Sequence, residues 1–458
     1  MRRAALAWLG ILVGAVLASP SAALGEPTRD SYIVVLNEDA PPPAVAAAQA
    51  TRLGGDVSGV YSEALDGYAA QLSAGELAQV RDAPGVDFVV PDRTFAQPDV
   101  VAAPVECDGP GDLGQCLPDG VDRIDADLSS AKAGDGGGSV DVDVAVIDSG
   151  IADHPDLHVA GGVGCQSGSP SSAPGDLGDP VGHGTAVAGV LAAEDNGIGV
   201  VGVAPGARLW SVRVAGDDGA IAWSSVLCAI DWVTGTRTDA DPANDVAIAN
   251  ISLTGPAPEG DVAPCGAPDD DDPVHVAICR SVAAGVLYVA AAGNQFGDVQ
   301  DRIPARYPQV LTVTAMADFD GAPGGAAPPV CQGEDLGGSG IHDDLGAIFS
   351  NVAVADADLQ HTIAAPGVCI DTTIAPQDGG PSYGNLSGTS FASPHIAGLA
   401  ALCVASGRCS GQPLADLSRL LADAEATNRA DPAYGFRGDP LRPFDFGAFG
   451  WLPSAALD

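Results

Sequence analysis

Val142-Asp-Val-Ala-Val-Ile147 is an almost unbroken apolar run that ends in Asp148-Ser149-Gly150. A strand with one wet face alternates apolar and polar side chains, so a run without alternation needs both faces covered. Five runs of the same kind follow: Leu209–Val214, Val246–Leu253, Val286–Ala291, Val310–Ala315 and Thr362–Ala364. Helical patterns separate them. Buried strands alternating with helices predict an α/β fold on a mostly parallel sheet. In such sheets functional residues gather at the carboxyl ends of the strands, which makes the residues just after each run the ones to inspect.

Four of those positions assemble a chemistry. Asp148 closes the first run, and taken alone it reads as a turn residue. Gly182-His183-Gly184-Thr185 opens a small-residue helix from Ala186 to Ala193, and packing alone would hardly select a histidine between two glycines. Val289-Ala-Ala-Ala-Gly-Asn294 places an amide after a strand, able to donate to a developing oxyanion. Leu386-Ser-Gly-Thr-Ser-Phe-Ala-Ser-Pro-His-Ile-Ala-Gly398 places Ser390 at a helix start, beside the positive helix end. A serine nucleophile needs a base to take its proton and a carboxylate to hold that base's tautomer. Asp148, His183 and Ser390 supply these in an order that differs from chymotrypsin-like and α/β-hydrolase chains.

Composition bounds the rest. The 458 residues allow two or three folded units at roughly 150 residues each. Sixty acidic residues against 19 basic ones leave a net charge of −41, which repels phosphate backbones and excludes a polybasic route to membranes. Lys132 is the only lysine in the chain. Ten cysteines, all after the first hundred residues, suggest disulfides made in an oxidising compartment. Arg2 and Arg3, the apolar stretch Ala4 to Ala18 and the small residues Ser21 and Ala23 form an export signal over residues 1–23. The chain is thus expected to be secreted and free of membrane once the signal is cut. Residues 30–96 read as a small α+β unit, with Ser73-Ala-Gly-Glu76 opening its second helix in capping-box form. Residues 97–105 form an apolar, proline-punctuated linker open to proteolysis, and residues 106–458 carry the α/β domain.

These motifs resemble the subtilisin-like serine proteases, the subtilase family. The resemblance covers roughly Gly120 to the carboxyl terminus. It implies a three-layer fold around the sheet, preceded by a propeptide domain that chaperones folding and blocks the site. It implies a monomeric endopeptidase made as a zymogen and self-processed, working through an acyl-enzyme with Asp148, His183 and Ser390 as triad. Asn294 and the Ser390 backbone N–H would form the oxyanion hole. The family usually has a second histidine where this chain has Ala186 and a methionine where it has Phe391; neither position performs chemistry.

By the same resemblance, peptides and the chain's own propeptide bind as added β-strands. Ser252-Leu253-Thr254 lines one wall of the pocket for the residue before the cut, and Gly293 the other. Thr254 stands where many relatives have glycine, which narrows the pocket. Gly219-Ala-Ile221 is the expected edge strand, with Trp223 near a more distant apolar pocket. Arg302 falls near the pocket floor, where it either faces solvent or a loop carboxylate, or points inward and favours an acidic residue. Asp156, with Glu194, Asn196, Ile198 and Val200, resembles the family's calcium loop, whose hard oxygen ligands suit Ca²⁺; a turn without metal is the alternative. No catalytic cofactor is implied. Asp269 to Asp272 reads as a solvated acidic loop or an extra cation site. Cys107–Cys116, Cys265–Cys279 and Cys403–Cys409 are the sequence-near disulfide pairs. A catalytically silent relative serving as a binding module, and an esterase, are the competing readings.

Overall fold

The computed structural model describes residues 28–37, 40–96, 103–104, 115–325, 327–329, 331, 341–376 and 382–458. The export signal and most of the linker lie outside these residues.

The amino-terminal unit runs β1 (Asp30–Leu36), α1 (Pro43–Arg52), β2 (Asp56–Tyr61), β3 (Gly67–Leu72), α2 (Ala74–Arg81) and β4 (Val86–Pro91). Its strands form an antiparallel sheet in the order β2-β3-β1-β4. Side chains alternate across a strand, so Val34 and Leu36 pack under the unit's own helices. Ile33 and Val35, on the other face, join the core of the main domain. Both faces of β1 are therefore covered, which is why its sequence shows no alternation. Ser73 and Glu76 close the capping box at the start of α2. A short strand, β5 (Thr94–Ala96), ends the unit, and the chain reappears as β6 (Ala103–Pro104).

The main domain continues through α3 (Asp119–Arg123), β7 (Asp143–Asp148), β8 (Val159–Gly164), α4 (His183–Ala192), β9 (Arg208–Arg213), β10 (Ala220–Ala222), α5 (Trp223–Thr238) and β11 (Ile248–Ile251). It then runs β12 (Gly255–Pro256), α6 (Pro273–Ala284), β13 (Leu287–Ala291), β14 (Arg302–Ile303), β15 (Val310–Ala317), β16 (Leu345–Gly346) and β17 (Thr362–Pro366). The last elements are β18 (Ile370–Thr373), β19 (Tyr383–Leu386), α7 (Thr389–Ala405) and α8 (Pro413–Ala430). The central sheet has the order β16-β15-β13-β11-β7-β9-β8, with β17 also on β15, and only the β15–β16 pair is antiparallel. All six apolar runs are strands of this sheet. The glycine-rich strand β8 is an addition that the apolar-run criterion passes over.

Three layers result. Val144 and Val146 face one core with α4 and α7; Ala145 and Ile147 face the other with α5 and α6. β7 pairs with β9 on one side and with β11 on the other, and the chain fills the β9–β8 side before it crosses to β11. The crevice beyond the carboxyl end of β7 is thus the topological switch point where such sheets place their ligands.

Candidate active site

Asp148 ends β7 at that switch point and is fully buried. His183, the first residue of α4, holds its Nδ1 2.8 Å from Asp148 Oδ1. Facing a carboxylate, Nδ1 carries the proton, which leaves Nε2 as the basic nitrogen. The flanking glycines have separate reasons. Gly182 adopts φ 91°, a left-handed conformation that starts the helix abruptly. A Cβ on Gly184 would lie 2.1 Å from the Gly150 carbonyl oxygen, so only glycine lets α4 approach the Asp148 loop this closely.

Sequence reasoning missed the group that joins these elements. One Asp179 oxygen accepts from the Ser149 hydroxyl (2.8 Å) and the Gly182 N–H (2.7 Å). The other accepts from the Thr185 N–H (2.8 Å) and hydroxyl (2.6 Å). A carboxylate at a helix start is favourable both as a hydrogen-bond acceptor and against the helix dipole. Its only sequence signal is an Asp four residues before the His-Gly-Thr motif.

Ser390 is the second residue of α7, partly exposed beside the positive helix end. Pro394 lies inside that helix and lacks an N–H, so the Ser390 carbonyl has no partner one turn on. The Ser252 hydroxyl fills the gap, donating at 2.7 Å, and the Ser390 hydroxyl donates back to the Ser252 carbonyl at 3.0 Å. The Ser390 hydroxyl is thus engaged with the backbone of the neighbouring wall. Phe391 stands next to the imidazole, its ring 5.5 Å from that of His183. Asn294 Oδ1 accepts from the Thr389 N–H (2.9 Å) and hydroxyl (2.8 Å). That fixes the orientation of the exposed amide and leaves its N–H₂ end as the free donor. The four candidates converge at one crevice.

The cleft beside them is already lined with the chain's own peptide. β5 pairs antiparallel with β10, with Phe95 opposite Ile221, and the Phe95 ring lies 4.7 Å from Trp223. Gly219 is not part of this edge strand: it turns at φ 75°, and the strand begins at Ala220. Beyond the cleft, β6 pairs with β19, the strand leading into Ser390. Leu253 is buried in the core, so it offers the cleft its backbone rather than its side chain. Thr254 is half-buried and leads into β12, which pairs with β14 and sets Arg302 opposite Pro256. The Arg302 Cγ would lie 3.4 Å from a Cβ on Gly293, which places the arginine between the two expected walls.

The expected calcium loop also closes on one point. Asp156 is fully buried without an ion pair, and burial pushes its pKa up to about 6. The Gln115 amide, unforeseen in sequence, donates to the carbonyls of Glu194 (2.6 Å) and Val200 (2.8 Å). Carboxylate, carbonyl and amide oxygens form a donor set suited to Ca²⁺. One expectation fails in this geometry: Asn196 turns its N–H₂ to Asp156 (3.0 Å), while its oxygen accepts from the Ile198 N–H (3.0 Å). The Gln115 oxygen likewise accepts from the Gly197 N–H (3.1 Å), so metal ligation by Asn196 or by Gln115 requires the amide to turn over. Ile198 itself projects its side chain to solvent.

The acidic run is not simply solvated. Asp270 is buried against His275 (2.7 Å), and Asp272 caps α6 and accepts from the Tyr307 hydroxyl at 2.6 Å. Disulfides join Cys265–Cys279 and Cys403–Cys409 as expected, and Cys165–Cys228 and Cys331–Cys369 besides. Cys116 is also disulfide-bonded, and its expected partner Cys107 lies outside the described residues.

A carboxylate–imidazole pair, a serine at a helix start and an amide donor, set on a parallel sheet, define a serine peptidase of the α/β class. The chain belongs to the subtilase family, whose model matches residues 139–436, and the peptidase inhibitor I9 model matches residues 31–96. Subtilisin BL of Lederbergia lenta is 35% identical over 288 residues, covering 63% of this chain and 84% of that protein. The thermostable alkaline protease of Halalkalibacterium halodurans is 31% identical over 387 residues, 84% of each chain. A solved cold-adapted subtilisin-like serine proteinase is 27% identical and covers 66% of this chain and 89% of its own, with a TM-score of 0.46. The protein is therefore an enzyme, a subtilisin-like serine endopeptidase with an inhibitor-type propeptide domain. Among the described residues no helix is long and apolar enough to cross a membrane.

Proposed function

We propose that the protein is a secreted zymogen that cuts its own linker and then hydrolyses extended peptides. The observation that carries this reading is the pairing of the strands on either side of the linker. β5 lies on β10 as a bound peptide would, and β6 pairs with β19, the strand that leads into Ser390, so the two described ends of the linker flank the candidate site.

In this mechanism His183 Nε2 takes the Ser390 proton, and the serine attacks the carbonyl held between β10 and the Ser252–Thr254 wall. Asp148 holds the imidazole tautomer and balances the imidazolium charge. The Asn294 amide and the Ser390 N–H receive the oxyanion. His183 then gives its proton to the leaving amine, and water repeats the sequence on the acyl-enzyme. Ca²⁺, held by Asp156, Gln115, Asn196 and the carbonyls of Glu194, Ile198 and Val200, would supply rigidity rather than chemistry. A chelator should then lower the melting temperature, and an unchanged melt would remove calcium from the account.

Intact mass of the secreted protein beside Ser390→Ala, with a casein assay on both, tests the main reading. The wild type should lose its first hundred or so residues and digest casein, while Ser390→Ala stays long and falls by about 10⁶ in turnover, a magnitude taken from a subtilisin. If both stay long and inert, the zymogen reading fails and a binding module takes its place.

A further inference from the structure

Beside the expected substrate walls lies a cation that makes no ion pair among the described residues. Arg302 is half-buried, and its Nε is shut off from solvent without a hydrogen-bond partner. Among the described residues every other arginine that is not exposed has a partner. Arg123, Arg208, Arg213, Arg237 and Arg408 meet carboxylates, and Arg306 meets two backbone carbonyls. With 60 acidic residues against 19 basic ones, carboxylates are abundant in this chain. An arginine left without one is therefore conspicuous, since a buried unpaired donor is costly.

Its place is set by two independent contacts. Antiparallel pairing of β14 with β12 puts it opposite Pro256, two residues beyond Thr254. Its stem packs beside Gly293, the neighbour of Asn294. The polar groups nearest Gly293 on that face, Asn351 and Gln295, are uncharged, and no carboxylate among the described residues pairs with Arg302. Thr254 adds a hydroxyl on the adjoining wall.

We infer that Arg302 receives the side-chain carboxylate of a glutamate or aspartate immediately before the cut, making the enzyme selective for acidic residues at that position. The inference rests on the peptidase reading above and deepens it. A planar guanidinium matches a carboxylate with two parallel N–H···O bonds, and a charge-assisted bond in a partly desolvated pocket separates Glu from its neutral isostere Gln. The overall negative charge opposes acidic peptides at long range, so the selectivity must come from this local contact.

Acetyl-Phe-Ala-Ala-X-p-nitroanilides with X as Glu, Gln or Leu test it on the mature enzyme; the phenylalanine copies the Phe95–Trp223 contact. Wild type should favour Glu over Gln by about 10- to 100-fold in kcat/KM, as expected for a hydrogen bond to a charged group. Arg302→Gln should bring that ratio to one or below while Leu cleavage persists or rises, and Arg302→Lys should keep part of the preference. The Glu/Gln ratio within one sample does not depend on how much of a variant is folded. Ser390-dependent cleavage with Glu no better than Gln overturns the Arg302 assignment alone. No Ser390-dependent cleavage of any peptide overturns the peptidase reading and this assignment with it.

Discussion

Both ends of the Asn294 amide have work in the proposed mechanism: its oxygen anchors Thr389 at the start of α7, and its N–H₂ is the proposed donor to the oxyanion. The two roles can be separated. Asn294→Asp keeps the acceptor for Thr389 but removes the donor and adds charge where an anion must form. It should lower kcat by at least about 10²–10³, a loss known for this role in a subtilisin, while the melting temperature stays close to wild type. Asn294→Leu should lose both activity and thermal stability. Equal melts for the two variants would mean that the Thr389 contacts contribute nothing. Asp148, His183, Ser390 and Asn294 stand out as candidates in the sequence because each lies beside glycines or at a strand end where packing does not explain it. Asp179 and Gln115 were not, since a lone Asp in a loop and a Gln in an unpatterned stretch look like any solvated residue. Their roles arise only when distant backbone N–H and carbonyl groups are brought round them.

Helix α4 places the base, and Gly184 sets how close that helix comes to the Asp148 loop. Gly184→Ala would force a Cβ to within 2.1 Å of the Gly150 oxygen. The helix must shift, so kcat/KM should fall by more than about tenfold and stability by about 2 kcal/mol, read by peptide hydrolysis and thermal melting. Helix α5 has a different dependence. Its N-cap, Ala222, offers no side-chain oxygen; the first N–H groups instead donate to the Arg93 carbonyl (3.1 Å) and the Asp92 carboxylate (3.0 Å) of the amino-terminal unit. In return, Asp231 on α5 accepts the N–H groups of Glu63 (2.7 Å) and Ala64 (2.8 Å). Asp231→Ala should weaken inhibition of the mature enzyme by the added 28–96 segment about tenfold, since charge-assisted bonds are lost. An unchanged inhibition constant would mean that the apolar face of Ile33 and Val35 carries the docking. The parallel strands were readable as apolar runs. The capping of α5 by another unit was not, because no local pattern marks a helix whose cap lies more than a hundred residues away.

Across the whole molecule the acidic surplus reaches the interior. Burial pushes Asp318 up to about 7 despite Arg123, and burial with neighbouring carboxylates pushes Asp122 and Asp371 up to about 6. A carboxyl whose folded pKa is raised binds its proton more tightly when folded. Its stabilising contribution is present below the unfolded value near 4 and is lost as pH rises through the folded value. The Ser390→Ala protein, which cannot digest itself, should therefore melt at lower temperature as pH is raised from about 4 to 8 at constant calcium. A melting temperature that rises steadily over that range would show these carboxyls to be ionised and well paired. The sequence by itself determined the parallel sheet, the order of the candidate catalytic groups and the presence of an inhibitor-type unit before the protease domain, because apolar runs, glycine-flanked motifs and composition shifts are local and survive without coordinates. Only the tertiary structure decided that the first unit's tail lies in the cleft, that Asp179 and Gln115 bind their sites together, and that Arg302 has no partner among the described residues. Those depend on which backbone groups and charges meet across hundreds of residues, and no one-dimensional pattern records what a side chain fails to touch.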